Sequence, residues 1–222
     1  MNSQINDISE SIRQILHTIP SGVLLLAAAK TRTLEEVETA IQAGVTDFGY
    51  NYVQEALPII QTISSRAKWH IIGHLQQNKA KIATEHFDMI ETVDSWRLAQ
   101  TLDRYCANIQ KKMPVLLEVN SGHEANKTGI LPEAVDELVV QMSTLKYLRV
   151  EGLMTMGPRF GDPEENRPYF KTTREVFERI ASRNFPNITM HFLSMGMSNS
   201  YQIAIEEGAN IVRIGSMLFG ER

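Results

Sequence analysis

Lys30 closes a run of seven apolar residues, Val23-Leu24-Leu25-Leu26-Ala27-Ala28-Ala29. One reading is a surface lysine at a strand end. The other is an ammonium facing a barrel mouth, where partial desolvation lowers its pKa and frees the amine as a nucleophile. A Schiff base with an aldehyde cofactor requires such an amine. A second cluster is Ser194-Met195-Gly196-Met197-Ser198, and a third is Arg213-Ile214-Gly215-Ser216. Glycine lets backbone approach an anion, and hydroxyls and helix-start N–H groups donate to it. The same glycines equally suit tight turns. Arg213 sits inside an apolar run, where a charge is costly unless paired. It either forms an internal ion pair with Glu118 or Glu151, or its fork donates to a ring nitrogen and limits the ring as an electron sink. His70 and His74 stand four apart but outside any His-Glu-x-x-His pattern, so no metal site is expected. His74 reads as a polar contact near the mouth and His70 as a satisfied strand residue. No Gly-x-Ser-x-Gly elbow or P-loop is present. The ten methionines read as core and rim packing.

These residues need a scaffold that brings them together, and the hydrophobic pattern supplies one. Short apolar runs recur at Val23–Ala29, Asp47–Tyr50, Trp69–Gly73, Met89–Val93, Val115–Asn120, Val150–Met156, Met190–Gly196 and Ile211–Gly215. Such runs suit strands covered on both faces. Helical spacing separates them at Thr33–Ala43, Tyr52–Ser64, Asn78–Glu85, Ser95–Ile109, Pro132–Ser143, Glu164–Ala181 and Asn199–Glu207, after a first helix at Ile5–Leu16. Thr33 with Glu36 forms a candidate capping box. Repeated βα units imply parallel strands with right-handed crossovers. The pattern predicts an α/β fold, a (β/α)8 TIM barrel with an extra N-terminal helix, in one domain over residues 1–222. A doubly wound sheet is the alternative, but its usual Gly-x-Gly-x-x-Gly first turn is missing. Barrel sites gather at the carboxyl ends of strands, and phosphate is often held by the loops after strands seven and eight. Lys30 and the two Gly/Ser clusters occupy those positions, and strand eight closes on strand one. Met156–Pro163 reads as a mobile loop over the mouth.

Composition narrows the classes further. The chain has 222 residues, 43% hydrophobic and 22% charged, so disorder is a poor reading. A net charge of −4 argues against a generally cationic nucleic-acid surface. The one cysteine, Cys106, forbids an intrachain disulfide. No apolar run reaches membrane-spanning length and Met1–Glu10 lacks a signal-peptide core, so a reducing, cytoplasmic setting is expected.

With those residues assembled, the chain resembles the pyridoxal phosphate homeostasis protein family, also called YggS-like or proline synthase co-transcribed proteins. The resemblance runs nearly end to end. It is carried by Ala29-Lys30-Thr31, Gly49-Tyr50-Asn51-Tyr52-Val53-Gln54-Glu55, Trp69 to Lys79, Lys127-Thr128-Gly129-Ile130 and Glu151 to Met156. The most specific block is Leu193-Ser194-Met195-Gly196-Met197-Ser198 with Val212-Arg213-Ile214-Gly215-Ser216 and Phe219-Gly220-Glu221-Arg222. The resemblance implies a barrel like the N-terminal domain of alanine racemase. It implies pyridoxal 5′-phosphate held as a Schiff base on Lys30. It further implies Ser194, Met197, Ser198, Gly215 and Ser216 around the phosphate, Arg213 at the pyridine nitrogen, Asn51 beside the ring, and Lys127 at the mouth in cofactor handling. The chain departs from the family with Tyr50 where a glutamate is usual, Ala29 for serine, Arg32 for lysine and Ser200 for an acid.

Three functional readings follow. The first is a non-catalytic protein for intracellular pyridoxal phosphate homeostasis, delivering cofactor to apo-enzymes as a monomer, without nucleic acid or membrane. Its expectation comes from length: Arg222 ends the chain where racemases continue into a β-domain with an acid/base tyrosine. The second is a weak pyridoxal-phosphate-dependent amino-acid racemase in which Tyr50, Lys30 or His74 moves protons. The third is a phosphate-ligand-binding regulatory module.

Overall fold

The computed structural model describes residues 2–63, 66–158 and 161–220. Eight strands, each followed by helix, form its frame: β1 Leu24–Ala28, β2 Asp47–Tyr50, β3 Lys68–Ile71, β4 Met89–Val93, β5 Met113–Val119, β6 Leu148–Thr155, β7 Ile188–Ser194 and β8 Ile211–Ile214. The helices are α1 Asn2–Thr18, α2 Leu34–Gln42, α3 Val53–Ile63, α4 Ala80–His86, α5 Trp96–Asn108, α6 Val135–Met142, α7 Arg167–Ala181, α8 Tyr201–Glu206 and α9 Ser216–Phe219. Each strand pairs in parallel with the next, and β8 pairs with β1, so the barrel closes. The expected (β/α)8 barrel with an N-terminal helix is the observed fold.

Local chemistry sets the element limits. Thr33 accepts from the Glu36 N–H at 3.2 Å while Glu36 accepts from the Thr33 N–H at 2.7 Å, completing the capping box that opens α2. The predicted start of α7 at Glu164 falls instead in a short 3-10 turn, Pro163–Asn166, capped by Asp162. Helix α9, four residues long, is too short for a periodic signal and was not foreseen. Ser64, Arg159, Phe160, Glu221 and Arg222, which fall within predicted segments or motifs, lie outside the described residues.

Strand parity builds two cores. Outward-facing Leu25, Phe48, Trp69, Ile90, Val115 and Leu153 pack against the helices. Inside the barrel, Leu26, Ile72 and Ile211 form one apolar cluster, and Met89, Leu116 and Met154 form another, with Phe192 touching both. Two residues further along four of these strands, on the same inward face, stand Glu91, Glu118, Ser194 and Arg213. The barrel thus has an apolar floor and a polar layer toward its carboxyl end.

At Gly152 the backbones of β6 and β7 leave no room for a side chain. A Cβ there would lie 1.8 Å from the Phe192 carbonyl oxygen, beside the register shift between these strands. Backbone cannot yield as a flexible side-chain tip can. Gly152→Ala is expected to cost about 3 kcal/mol or more and lower Tm by roughly 6–12 °C, read by thermal melting. Among the described residues no helix is long and apolar enough to cross a membrane.

Candidate functional site

The closure of β8 on β1 sets the site. Leu26 pairs with Arg213 and Ala27 with Ile214, so Gly215 follows directly beside Ala28. A Cβ on Gly215 would meet the Ala28 carbonyl oxygen at 3.2 Å and the Ala28 Cβ at 3.3 Å. Lys30 lies two residues beyond Ala28, half-buried, at the same end of the barrel. Its neighbour Thr31 adopts a positive φ of 63° and its N–H donates to Glu55 on α3.

The loops after β7 and β8 meet here. The Ser198 hydroxyl lies 3.1 Å from the Ser216 hydroxyl and accepts from the Gly215 N–H at 3.4 Å. Gly196 has φ of +85°, and a Cβ there would lie 2.6 Å from Ala204 Cβ, so glycine is needed for the turn that carries Met197 and Ser198. The Met197 N–H donates to the Ser200 hydroxyl at 3.3 Å, which ties the loop to the start of α8. Two hydroxyls and a backbone N–H thus converge in the loops after β7 and β8. That donor set fits a phosphate. A lysine one strand away fits an aldehyde on the same molecule.

Asn51 follows β2 and packs tightly on the loop after β3: a Cβ on Gly73 would lie 2.6 Å from both the Asn51 Cα and carbonyl oxygen. Arg32 reaches around the β1 loop, donating to Glu36 at 3.3 Å and to the Gly220 carbonyl at 2.8 Å, with its guanidinium 5.2 Å from the Phe219 ring centroid. It therefore binds the β1 loop to α9.

Other predicted residues are placed apart from this cluster. Lys127 stands on the rim after β5, donating to Glu124 at 2.6 Å and to the Gly157 carbonyl at 3.3 Å. His74 is exposed on the rim, 3.4 Å from Asp94. Tyr50 does not face the mouth. Asp47 and Gly49 take the inward positions of β2, so Tyr50 turns outward and packs on Trp69, with ring centroids 6.3 Å apart. Burial and the nearby Glu55 both raise its phenol pKa, and its hydroxyl is buried without a hydrogen-bond partner among the described residues.

Ser194 is also placed differently from the phosphate role implied by resemblance. It is fully buried inside the barrel, donating to Glu91 Oε2 at 2.6 Å and accepting from Arg213 Nη1 at 2.7 Å. Arg213 Nη2 donates to the Thr155 carbonyl at 2.7 Å. Neither expected acid pairs directly with Arg213 among the described contacts. Glu151 joins Arg149 at 3.1 Å, while Glu118 and Glu91 act on Arg213 through their fields. Burial pulls the guanidinium pKa down and these two acids oppose the fall. Glu118 accepts from Thr128 at 2.8 Å through Oε1, and its buried Oε2 has no hydrogen-bond partner among the described residues. Burial and Asp94 push its carboxyl pKa up, against Thr128, Arg213 and His74.

Sequence reasoning missed the acids that hold His70. Its Nδ1 lies 2.7 Å from Glu91 Oε1 and its Nε2 lies 3.2 Å from Asp47 Oδ1. Both ring nitrogens can donate only in the imidazolium. Burial opposes that charge, but bonds to Asp47 and Glu91 win and raise the His70 pKa to about 9. Burial likewise opposes ionisation of both acids, and the bonds from His70 outweigh it, holding them below the usual carboxylate range. The available signal was an acid at the inward parity of an otherwise apolar strand.

Comparison with known proteins follows the same geometry. Residues 4–222 match the family model for the alanine racemase N-terminal domain. The pyridoxal phosphate homeostasis protein of Vibrio alginolyticus is 36% identical over 230 residues, covering 100% of this chain and 97% of the relative. The chain belongs to the pyridoxal phosphate homeostasis protein family. Solved structures share its architecture. PipY of Synechococcus elongatus PCC7942, with PLP bound, superposes with a TM-score of 0.88 at 32% identity, covering 96% of this chain and 100% of that one. Alanine racemase of Clostridium difficile 630 superposes with a TM-score of 0.79 at 14% identity, covering 98% of this chain and 57% of that one, and so shares the fold.

His70→Ala would leave Asp47 and Glu91 buried without their shared cation. The expected cost is about 3–5 kcal/mol in urea unfolding. A raised folded-state pKa stabilises below the unfolded value and is lost as pH rises through the folded one. The penalty is therefore expected in full below pH 6.5, to shrink as pH rises from there, and to reach its minimum above about pH 9. A penalty independent of pH would show that His70 is neutral in the fold.

Proposed function

We propose that this chain binds pyridoxal 5′-phosphate with Lys30 as its covalent anchor and serves to hold the cofactor and hand it to apo-enzymes. The observation that carries the reading is that the β8–β1 closure puts Lys30 and the Ser198–Gly215–Ser216 donor cluster at the same end of the barrel, on loops that follow paired strands. In this reading the Ser198 and Ser216 hydroxyls and the Gly215 N–H hold the phosphate. Met197 shapes the same loop, Asn51 and Arg213 flank the ring, and Lys127 stands at the rim. When bound, the group supplies an aldehyde that condenses with an amine and a ring that withdraws electrons from it. Arg213 presents only N–H donors toward a ring nitrogen, which disfavours protonation there and weakens the ring as an electron sink.

Holding is favoured over racemisation by two placements. Tyr50 is packed against Trp69 and His74 lies against Asp94, so neither of these candidate proton movers joins the Lys30 cluster. The resemblance to PipY, described with PLP bound, and the homeostasis name of the relatives support the same reading. We place the protein in the cytoplasm as a one-domain monomer over residues 1–222, acting without nucleic acid or membrane.

Added pyridoxal phosphate is expected to give a visible absorbance band. Borohydride should fix the cofactor to the peptide that contains Lys30, and Lys30→Ala should show neither band nor adduct. A band that survives Lys30→Ala would reject Lys30 as the anchor. Ser198→Ala with Ser216→Ala should weaken cofactor binding by about 10–100-fold in equilibrium dialysis, from the loss of two hydrogen bonds to an anion. Deuterium exchange at the α-carbon of amino acids at enzyme-like rates would overturn the carrier reading.

A further inference from the structure

Beneath the proposed ligand contacts lies a polar chain of which the function above uses only Arg213. It runs Asp47, His70, Glu91, Ser194, Arg213, drawn from β2, β3, β4, β7 and β8, with every link inside the barrel. All five residues are more than nine-tenths buried. We infer that Asp47, His70, Glu91 and Ser194 act together as a clamp that fixes the orientation of the Arg213 guanidinium, making these four positioning residues for the ligand site. Its bearing on the bound ring rests on the cofactor reading above, while the clamp itself rests on the geometry alone.

The links have a defined direction. Ser194 owns one proton, and it is committed to Glu91, so its lone pairs face Arg213. Glu91 uses both oxygens, one toward Ser194 and one toward His70. Asp47 does the same, with Oδ1 toward His70 and Oδ2 accepting from Thr46 at 2.6 Å. Every oxygen of both acids thus already accepts a hydrogen bond inside the chain. On the other side, Arg213 Nη2 is held by the Thr155 carbonyl, and the Thr155 hydroxyl donates to the Val119 carbonyl at 2.8 Å. The planar fork is thus held at two nitrogens by two different strands. Turning it breaks both bonds in a buried interior, where unmade bonds are costly.

Charge is balanced along the chain. Two acids, Asp47 and Glu91, alternate with two cations, His70 and Arg213. The other charged groups that act on these residues are Lys68, through Asp47, and Glu118, through Arg213. Glu118 lies two residues beyond Leu116 in the same inward layer, so its protonation alters the field at Arg213 without breaking a clamp bond. A guanidinium held this way is an oriented cation one step below Gly215.

The test uses Ser194→Ala, which removes one hydroxyl and little volume, and Glu91→Gln, which keeps shape and removes charge. Two signals are read beside thermal melting. The first is the ¹⁵N–¹H signature of the Arg213 side chain in protein without added cofactor. The parent should show slowly exchanging, resolved Arg213 signals, and Ser194→Ala should broaden or lose them. The second is the pH at which the absorbance bands of added pyridoxal phosphate interconvert. Ser194→Ala should bind within about threefold of the parent yet move that pH by about one unit or more, since one unit is a tenfold change in protonation equilibrium. A purely structural role predicts lower melting temperature with both signals unmoved, and that result overturns the inference. A parent protein that gives no band would instead overturn the cofactor reading, and the Arg213 signals would still decide the clamp. If Ser194→Ala does not fold, the same two signals in Glu91→Gln decide it.

Discussion

The parallel pairing of the last strand with the first governs this molecule. Without it, Lys30 and the Gly215–Ser216 turn stand almost the whole chain apart. With it, Gly215 lies against Ala28 so closely that a Cβ there would be crowded by the Ala28 carbonyl oxygen and Cβ. Every arrangement at the mouth follows from that seam, including the reach of Arg32 across it to the Gly220 carbonyl. A barrel differs from an open sheet in having no edge at which such a seam could drift.

Below the mouth, strand parity separates two environments at a spacing of two residues. Met89, Leu116, Phe192 and Ile211 make the dry floor, and the residues two beyond them make a charged layer. Five ionisable groups share that layer: Asp47, His70, Glu91, Glu118 and Arg213. Four are bound into one alternating series, while Glu118 keeps an oxygen unmatched. Burying so many charges is tolerable because each of the four is offset by a neighbour of opposite sign with direct or relayed hydrogen bonds.

Much of this was legible in the residues. The eight apolar runs mark the eight strands to within a few residues, because doubly covered parallel strands leave continuous apolar sequence. Lys30 and the glycine–serine turns stand out because the barrel places loops at strand ends. Three things were not legible. Tyr50 next to Asn51 reads as a mouth residue until the inward position of Gly49 fixes the parity of β2. Ser194 reads as a phosphate ligand beside Ser198, but the strand continues through it, so its side chain belongs to the interior. The acids around His70 were hidden for a related reason. Asp47 and Glu91 are distant in sequence, and only the closed sheet shows that one imidazole lies between them.

The charged layer has a consequence for how the chain finds its fold. All five ionisable groups occupy the inward face of their strands. A strand that paired one residue out of step would turn its charge outward into the strand–helix layer, among Phe48, Trp69 and Ile90. Apolar floor residues alone would tolerate such an error, since both faces of these strands are apolar. The charges do not, because each has a partner only in the correct alignment. The buried ions therefore act as a proofreading code for strand alignment, written into a sheet whose hydrophobic residues cannot distinguish one face from the other.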